Sequence, residues 1–437
     1  MSNKIFLKGT MILTLTGLCS RLIGFFYRIF LSHTIGAQGV GIYQLVTPVQ
    51  GIVMAITAVG MQAAISRLCA SLSALGKEKE ARDHFISGTA LAFVVSVLIS
   101  FVIHKNAGFF ANEILKEPQT FSLIQLLSFS FPLSTLHSCI NSFYYSRKKT
   151  GLPSAIQLLE QAARVGSSYV IYLVFLSEGR EITPIIAVGG SLFGEIAASV
   201  ASLLAVGLDF KQHNYRMREI SHPLLSMKSM VQTAVPHSMN RLLLTLLNSM
   251  EVVLIPQRLL LYGLDREEAL GIYGVFTGMA LPLILFPSTL TNSASVMLMP
   301  SVAELQALGY RKRIDYVISR ACGVCFLLGT GCALFFFLLG EPLGIFLFRS
   351  PTAGVYIKTL AFICPFLYMN TALTSILNGL GKPNVCLIHS VIGVSIRIAS
   401  VMLAIPAIGI RGYFYGMLLS ELVLSVLHIG ALYRMKE

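Results

Sequence analysis

The sequence predicts an all-α membrane protein of about twelve transmembrane helices. Of its 437 residues, 55% are hydrophobic and only 12% are charged, against about a quarter charged in a soluble domain. The mean hydropathy is +0.74. The apolar residues gather into runs of about 20, the length that crosses a hydrocarbon layer of roughly 30 Å.

Each run is bounded by charge, Gly or Pro. The first, 9 to 31, opens after Lys8, and the second, 43 to 66, stops at Arg67. The third, 84 to 103, lies between Asp83 and Lys105, and the fourth, 120 to 144, ends at Arg147-Lys148-Lys149. The fifth, 154 to 177, begins after Pro153 and stops before Gly179, and the sixth, 184 to 208, ends at Asp209. The seventh, 230 to 257, lies between Lys228 and Arg258, and the eighth, 272 to 299, between Glu268 and Pro300. The ninth, 317 to 339, follows Arg311-Lys312-Arg313, and the tenth, 353 to 377, follows Pro351. The eleventh, 385 to 407, begins after Lys382-Pro383, and the twelfth, 412 to 433, lies between Arg411 and Arg434.

The net charge of +13 is explained by where the basic residues stand. With the N-terminus cytoplasmic, twenty of the 33 Lys and Arg fall on that side, eight on the opposite side and five inside spans. This is the positive-inside asymmetry, and it puts both termini in the cytoplasm of a cell whose membrane the chain crosses many times. No basic patch stands beside exposed aromatics, so no nucleic acid partner is expected. Lys4 and Lys8 precede an apolar run with no small-residue cleavage site, so the first helix is expected to be retained. The eight cysteines lie in or beside apolar segments and are expected to be reduced. Cys322 and Cys325 have C-x-x-C spacing, but no second pair or nearby histidine completes a zinc site, and no metal is expected.

The longest polar connection, Asp209 to Lys228, divides the spans six and six, giving lobes 1–220 and 221–437. A faint repeat supports the division. "GLPSAIQ" (Gly151 to Gln157) and "GKPNVCL" (Gly381 to Leu387) each follow a span containing a proline, Pro132 or Pro365. The separations 153 − 132 = 21 and 383 − 365 = 18 differ by three, which an insertion such as Arg147-Lys148-Lys149 reconciles. An even number of spans per half implies parallel repeats, with a transport site between them.

Charges inside spans are costly, at about 2.5 to 3.5 kcal/mol each at mid-bilayer, and should face protein or water. Glu160 and Arg164 are four apart in the order that favours an ion pair on one helix. Arg397 and Glu421, on the last two spans, are candidates for a pair across them. Arg21 and Arg28 are seven apart, nearly two turns, on one stripe with their Cα atoms roughly 10 Å apart along the axis. With Gly17 and Gly24 that stripe is small and cationic, which suits a helix lining a cavity. Snorkelling to the interface is the bland reading of Arg28. Arg241 opens the seventh span, with Asn248 and Glu251 further along. Cations from both halves can then converge on one anion.

No phosphate-gripping nucleotide loop, H-E-x-x-H or nucleophile elbow occurs, and the loops are too short for a catalytic domain. The chain is not expected to be an enzyme.

The segment "FLKGTMILTLTGLCSRLIGFFYRIFLSHTIGAQGVGIYQLVTP" (Phe6 to Pro48) resembles the opening of the stage V sporulation protein B family. That family belongs to the multidrug/oligosaccharidyl-lipid/polysaccharide (MOP) flippase superfamily and is related to lipid II flippases. The resemblance continues through "IQLLEQAARV" (Ile156 to Val165), "AVPHSMNRLLLTLLNSMEVVLIPQRL" (Ala234 to Leu259) and "TGMALPLILFPSTLTNSASVMLMPSVAEL" (Thr277 to Leu305). It implies two six-helix lobes around a central cavity, alternating access, and a lipid-linked saccharide as substrate, with a role in sporulation, the wall or a capsule. It also implies that Arg21, in Ser20-Arg21-x-x-Gly24-Phe25, lines the cavity. Arg28 sits one residue later than the next cavity arginine of those relatives, and Arg241 matches by its place on the seventh span. Two departures stand out: "NSFYYSRKKTG" (Asn141 to Gly151) replaces an Arg-Gly-x-x-Gln-Gly pattern, and the extra pair of helices that shelters the lipid tail in longer relatives is not among the twelve runs.

The expectation is therefore a flippase that moves an anionic polyprenyl-diphosphate-linked oligosaccharide or peptidoglycan precursor from the inner to the outer leaflet. Arg21, Arg28 and Arg241 bind the substrate. Glu251, Glu195, Glu160 and Arg164 are coupling or structural charges. For a headgroup of about two negative charges, an inside-negative 100 mV favours outward movement by about 4 to 5 kcal/mol. No cofactor is expected, with coupling to Na+, H+ or the membrane potential left open. Partners are the lipid-linked substrate and membrane lipids, and the chain is expected to be monomeric. The alternative is a cation-coupled multidrug exporter of the same fold, although a carboxylate on the first helix, which would suit cationic drugs, is missing.

Overall fold

Apolar runs in lipid must close their backbone hydrogen bonds internally, and this chain does so with helices; among the described residues there is no strand. The computed structural model describes residues 2–213 and 223–434, so 214–222 of the expected polar connection, with Arg216 and Arg218, lie outside the described residues. The principal helices, numbered in chain order, are α1 (Ser2–Thr34), α2 (Gly36–Ala74), α3 (Glu78–Lys105), α4 (Pro118–Ser128), α5 (Ser130–Ser146), α6 (Gly151–Ser177) and α7 (Ile185–Gln212). They continue as α8 (Pro223–Leu261), α9 (Arg266–Leu285), α10 (Ser288–Ala307), α11 (Arg311–Phe348), α12 (Pro351–Gly379), α13 (Pro383–Leu403) and α14 (Ile410–Arg434).

Ten of the helices are long and apolar enough to cross a membrane, and α4 with α5, bent by 44°, makes an eleventh if the pair is one span. The expected fifth run is helical as the 27-residue α6, but Gln157, Glu160, Gln161 and Arg164 lower its hydropathy, and it is not among those ten. The expected eighth run, 272 to 299, is not one helix. It breaks between α9 and α10 at Pro287, which has no N–H to continue the ladder.

The backbone carries a repeat. Among the described residues φ is positive at Gly36, Gly76, Lys116, Lys148 and Gly179, and again at Gly263, Gly309, Arg349, Gly381 and Gly409. Taken in order the two sets pair: 309 − 76, 349 − 116 and 381 − 148 are each 233, 409 − 179 is 230, and 263 − 36 is 227. The same closure recurs at these corners. Lys77 N–H donates to Leu72 O at 3.0 Å and Gly76 N–H to Ser73 O at 3.1 Å, while Tyr310 N–H donates to Leu305 O and Gly309 N–H to Gln306 O, both at 3.0 Å. This left-handed cap satisfies carbonyls that the helix end leaves over. Prolines follow the register: Pro118 and Pro351 each open a helix after an extended N-cap, Glu117 or Ser350, whose side chain accepts a backbone N–H.

Pro132 and Pro365 keep the 233 offset, whereas Pro153 and Pro383 are 230 apart. Three residues are therefore extra in the first half, as the proline spacing predicts. They fall between Lys148 and Pro153 rather than at Arg147-Lys148-Lys149, because Lys148 itself matches the capping Gly381.

The chain divides into two compact units, one of Met1–Tyr27 and Leu45–Leu246, the other of Arg28–Gln44 and Leu247–Glu437. The core of the first contains Cys139, Ile140, Phe143 and Tyr144, with Phe143 stacked on Phe85 at 4.2 Å. The core of the second contains Ala372, Leu373, Ile376 and Leu377, the residues 233 later. Equivalent helix faces are thus buried in both. Large apolar side chains such as Leu327, Leu338 and Phe346 of α11 are exposed, as befits a surface bathed in acyl chains.

Candidate transport site

The expected substrate-binding stripe lies on one unbroken helix. Arg21 and Arg28 are both exposed on α1. A Cβ added at Gly17 or Gly24 would meet nothing within 4 Å, so the glycines between which Arg21 stands also face open space. Arg28 lies near enough to Tyr43 of α2 for the two to interact electrostatically. No Asp or Glu occurs in α1. Arg241, on α8, is exposed as well and belongs to the same compact unit as Arg21.

Two separate clusters of buried charge gather residues predicted inside spans. In the first unit, His137 of α5 and Glu195 of α7 are joined by Nε2 and Oε2 at 2.7 Å, with the two residues 7% and 4% exposed. Arg164 and Glu160, one turn apart on α6, form the ion pair that their spacing predicts, and both act electrostatically on His137. Two glycines bring these helices together. At Gly190 a Cβ would stand 1.8 Å from Ser168 Oγ and 2.8 Å from Arg164 O, and at Gly194 it would stand 3.0 Å from Glu160 O. Small residues four apart allow this approach between helices in lipid. Tyr27 Oη shares a 2.8 Å hydrogen bond with Ser168 Oγ in the same seam.

In the second unit, Glu251 of α8 is held on both oxygens by Arg397 Nε, at 3.1 Å each, and by the hydroxyl of Tyr413. Arg397 also donates through Nη2 to Asn248 Oδ1 at 3.1 Å. The pairing of Arg397 with Glu421 expected from their neighbouring spans is not formed. Glu421 instead accepts from Asn370 Nδ2 at 2.7 Å. Sequence proximity misled because α8 brings a carboxylate to Arg397 from 146 positions away, and nothing in the last two spans records that.

Two groups were not singled out from the sequence. His137 looks like one of several scattered histidines until the repeat aligns it with a polar residue in the other half. Arg147, in the turn that departs from the family pattern, is a tie between helix ends. Its guanidinium lies 4.2 Å from the Phe143 ring and donates to Glu78 at 2.7 Å and to Asp209 at 3.2 Å.

Solved structures share this fold. The chain is similar to the lipid II flippase MurJ in an inward closed conformation, with a TM-score of 0.73 at 13% identity over 97% of this chain and 87% of that one. It is also similar to an inward-facing multidrug resistance MATE family transporter of the MOP superfamily, with a TM-score of 0.70 at 14% identity over 95% and 94%. Its fold is the one these MOP-superfamily structures have, that of a multi-pass membrane protein. By sequence the chain belongs to the polysaccharide biosynthesis protein family, whose model matches residues 6–306. It is 26% identical to stage V sporulation protein B of Bacillus subtilis (strain 168) over 98% of this chain and 83% of that protein.

Proposed function

We propose that the chain is a flippase that carries an anionic polyprenyl-diphosphate-linked saccharide from the inner to the outer leaflet of a bacterial membrane by alternating access, with both termini cytoplasmic. The observation that carries this reading is the glycine-flanked arginine stripe of α1, exposed and without a carboxylate. Arg21, Arg28 and Arg241 supply guanidinium groups that replace the water around a diphosphate by charge-assisted, bidentate hydrogen bonds. The lipid tail stays in the bilayer. A cationic drug would instead want an acid on this helix.

Depletion of the protein, followed by identification of the lipid-linked intermediate that builds up on the cytoplasmic leaflet, tests the reading and names the saccharide. An unchanged lipid pool together with lost resistance to cationic drugs would replace it with the exporter.

A further inference from the structure

We infer that His137 and Glu195 form a site for one exchangeable proton in the first unit. At the 233 offset His137 corresponds to Asn370, and at the 230 offset Glu195 corresponds to Ser425. Asn370 and Ser425 are themselves bonded, the serine Oγ donating to Asn370 Oδ1 at 2.8 Å. Asn370 also donates through Nδ2 to the buried Glu421 carboxylate at 2.7 Å, so each half sets a carboxylate against this position. In the second half the carboxylate meets an amide with no titratable proton, whereas in the first it meets an imidazole at 2.7 Å. The imidazole adds a charge state.

Charge counting sets how many protons are involved. Besides His137, the cluster holds Glu195 and Glu160, both acidic, and Arg164. With a neutral imidazole it sums to one negative charge, and with an imidazolium it sums to zero. An uncompensated charge at low dielectric costs several kcal/mol, so a single proton decides whether the cluster is balanced. The other charged groups on the helices packed around α5 stand elsewhere along them: Arg67 of α2, Glu78 to His84 and His104-Lys105 at the two ends of α3, and Asp209 and Lys211 at the end of α7. Of these, Glu78 and Asp209 are already paired with Arg147. In the site itself the atom that takes the proton is identifiable. Nε2 of His137 faces the Glu195 carboxylate, while Nδ1 is buried with no hydrogen-bond partner. The proton adds to the Nδ1 lone pair and leaves from it, with no other bond made or broken.

The consequence for transport, which rests on the flippase reading, is that one arm of the cycle runs with the site protonated and the other without. The direct test does not depend on that reading. In detergent-solubilised whole protein, which carries nine histidines, the imidazole and carboxylate infrared bands or 15N-histidine shifts that a His137→Asn variant lacks should report one proton bound per chain. His137→Asn with Glu195→Ser, which installs the Asn and Ser that stand at the matching positions of the second half, should abolish that proton while leaving the fold intact. Glu195→Gln alone should leave the histidine titrating, but displaced in pH.

In vesicles carrying a fluorescent polyprenyl-diphosphate N-acetylglucosamine, wild-type flipping should change with pH by up to tenfold per unit, the limit for one linked proton. The double variant should flip the same probe at a rate independent of pH. A titration that is the same in wild type and double variant, or a Na+ dependence lost there with no proton involved, overturns the proton site. Absence of flipping in both proteins beside an intact one-proton titration overturns the substrate reading alone.

Discussion

Glu251 and Arg397 meet head-on: the guanidinium Nε of Arg397 is 3.1 Å from each oxygen of the Glu251 carboxylate, and Tyr413 caps the pair. Breaking a buried pair by removing one partner strands the other charge, at about 3 to 5 kcal/mol. Glu251→Gln, which still accepts a hydrogen bond, should cost less than Arg397→Ala. Arg397→Met combined with Glu251→Leu should recover most of the loss. Thermal unfolding of the four proteins in one detergent measures this, and a double variant as unstable as the worse single would show that the helices are held by something other than charge compensation.

The α1 stripe makes a different prediction. Arg21 is exposed on α1, so Arg21→Ala should leave thermal stability within about 0.5 kcal/mol, as surface substitutions do, while cutting flipping by tenfold or more. Arg21→Lys should fall between, because an ammonium cannot make the bidentate contact. Equal activity of all three in a flipping assay would remove Arg21 from the substrate's path.

Helix approach in the first unit depends on Gly190, where a side chain would run into Ser168 Oγ at 1.8 Å. Gly190→Leu should push α6 from α7 and destabilise the protein by about 1 to 3 kcal/mol as an overpacked core does. Gly207, on the same helix, has nothing within 4 Å of its Cβ position. Gly207→Leu, as the control, should be tolerated in the same melting experiment.

Lys116, Lys148 and Arg349 hold left-handed conformations, with φ of 54°, 59° and 50°. A left-handed L-residue costs roughly 1 to 2 kcal/mol, so replacing Lys148 by Gly, the residue found at the matching position 381, should raise the melting temperature. Gly381→Ala should lower it. The two effects should be opposite in sign and similar in size, and two changes of the same sign would mean that the caps are not equivalent.

The fold class was readable because lipid imposes a length and a polarity that composition displays directly, so the helices fall where the apolar runs do. Where polarity rose inside a span the reading weakened: α6 carries a charge pair that makes it look less like a membrane helix, and Pro287 splits a run that hydropathy joins. The Glu160 to Arg164 pair was legible because both ends lie on one turn. The partner of Arg397 was not, because contacts between helices far apart in sequence leave no local trace. His137 illustrates the same limit from the other side, since only alignment through the backbone corners sets it opposite Asn370.

Those ten corners also bear on ancestry. A duplicated segment that kept its bends while its side chains drifted would leave this record, and Lys148 opposite Gly381 shows how far drift has gone even where geometry penalises it. If the halves began as copies, the imidazole on one side and the amide on the other, each against a buried carboxylate, are a division of labour acquired afterwards. The first half of the gene, rather than the second, is then where selection acting on proton handling should be visible.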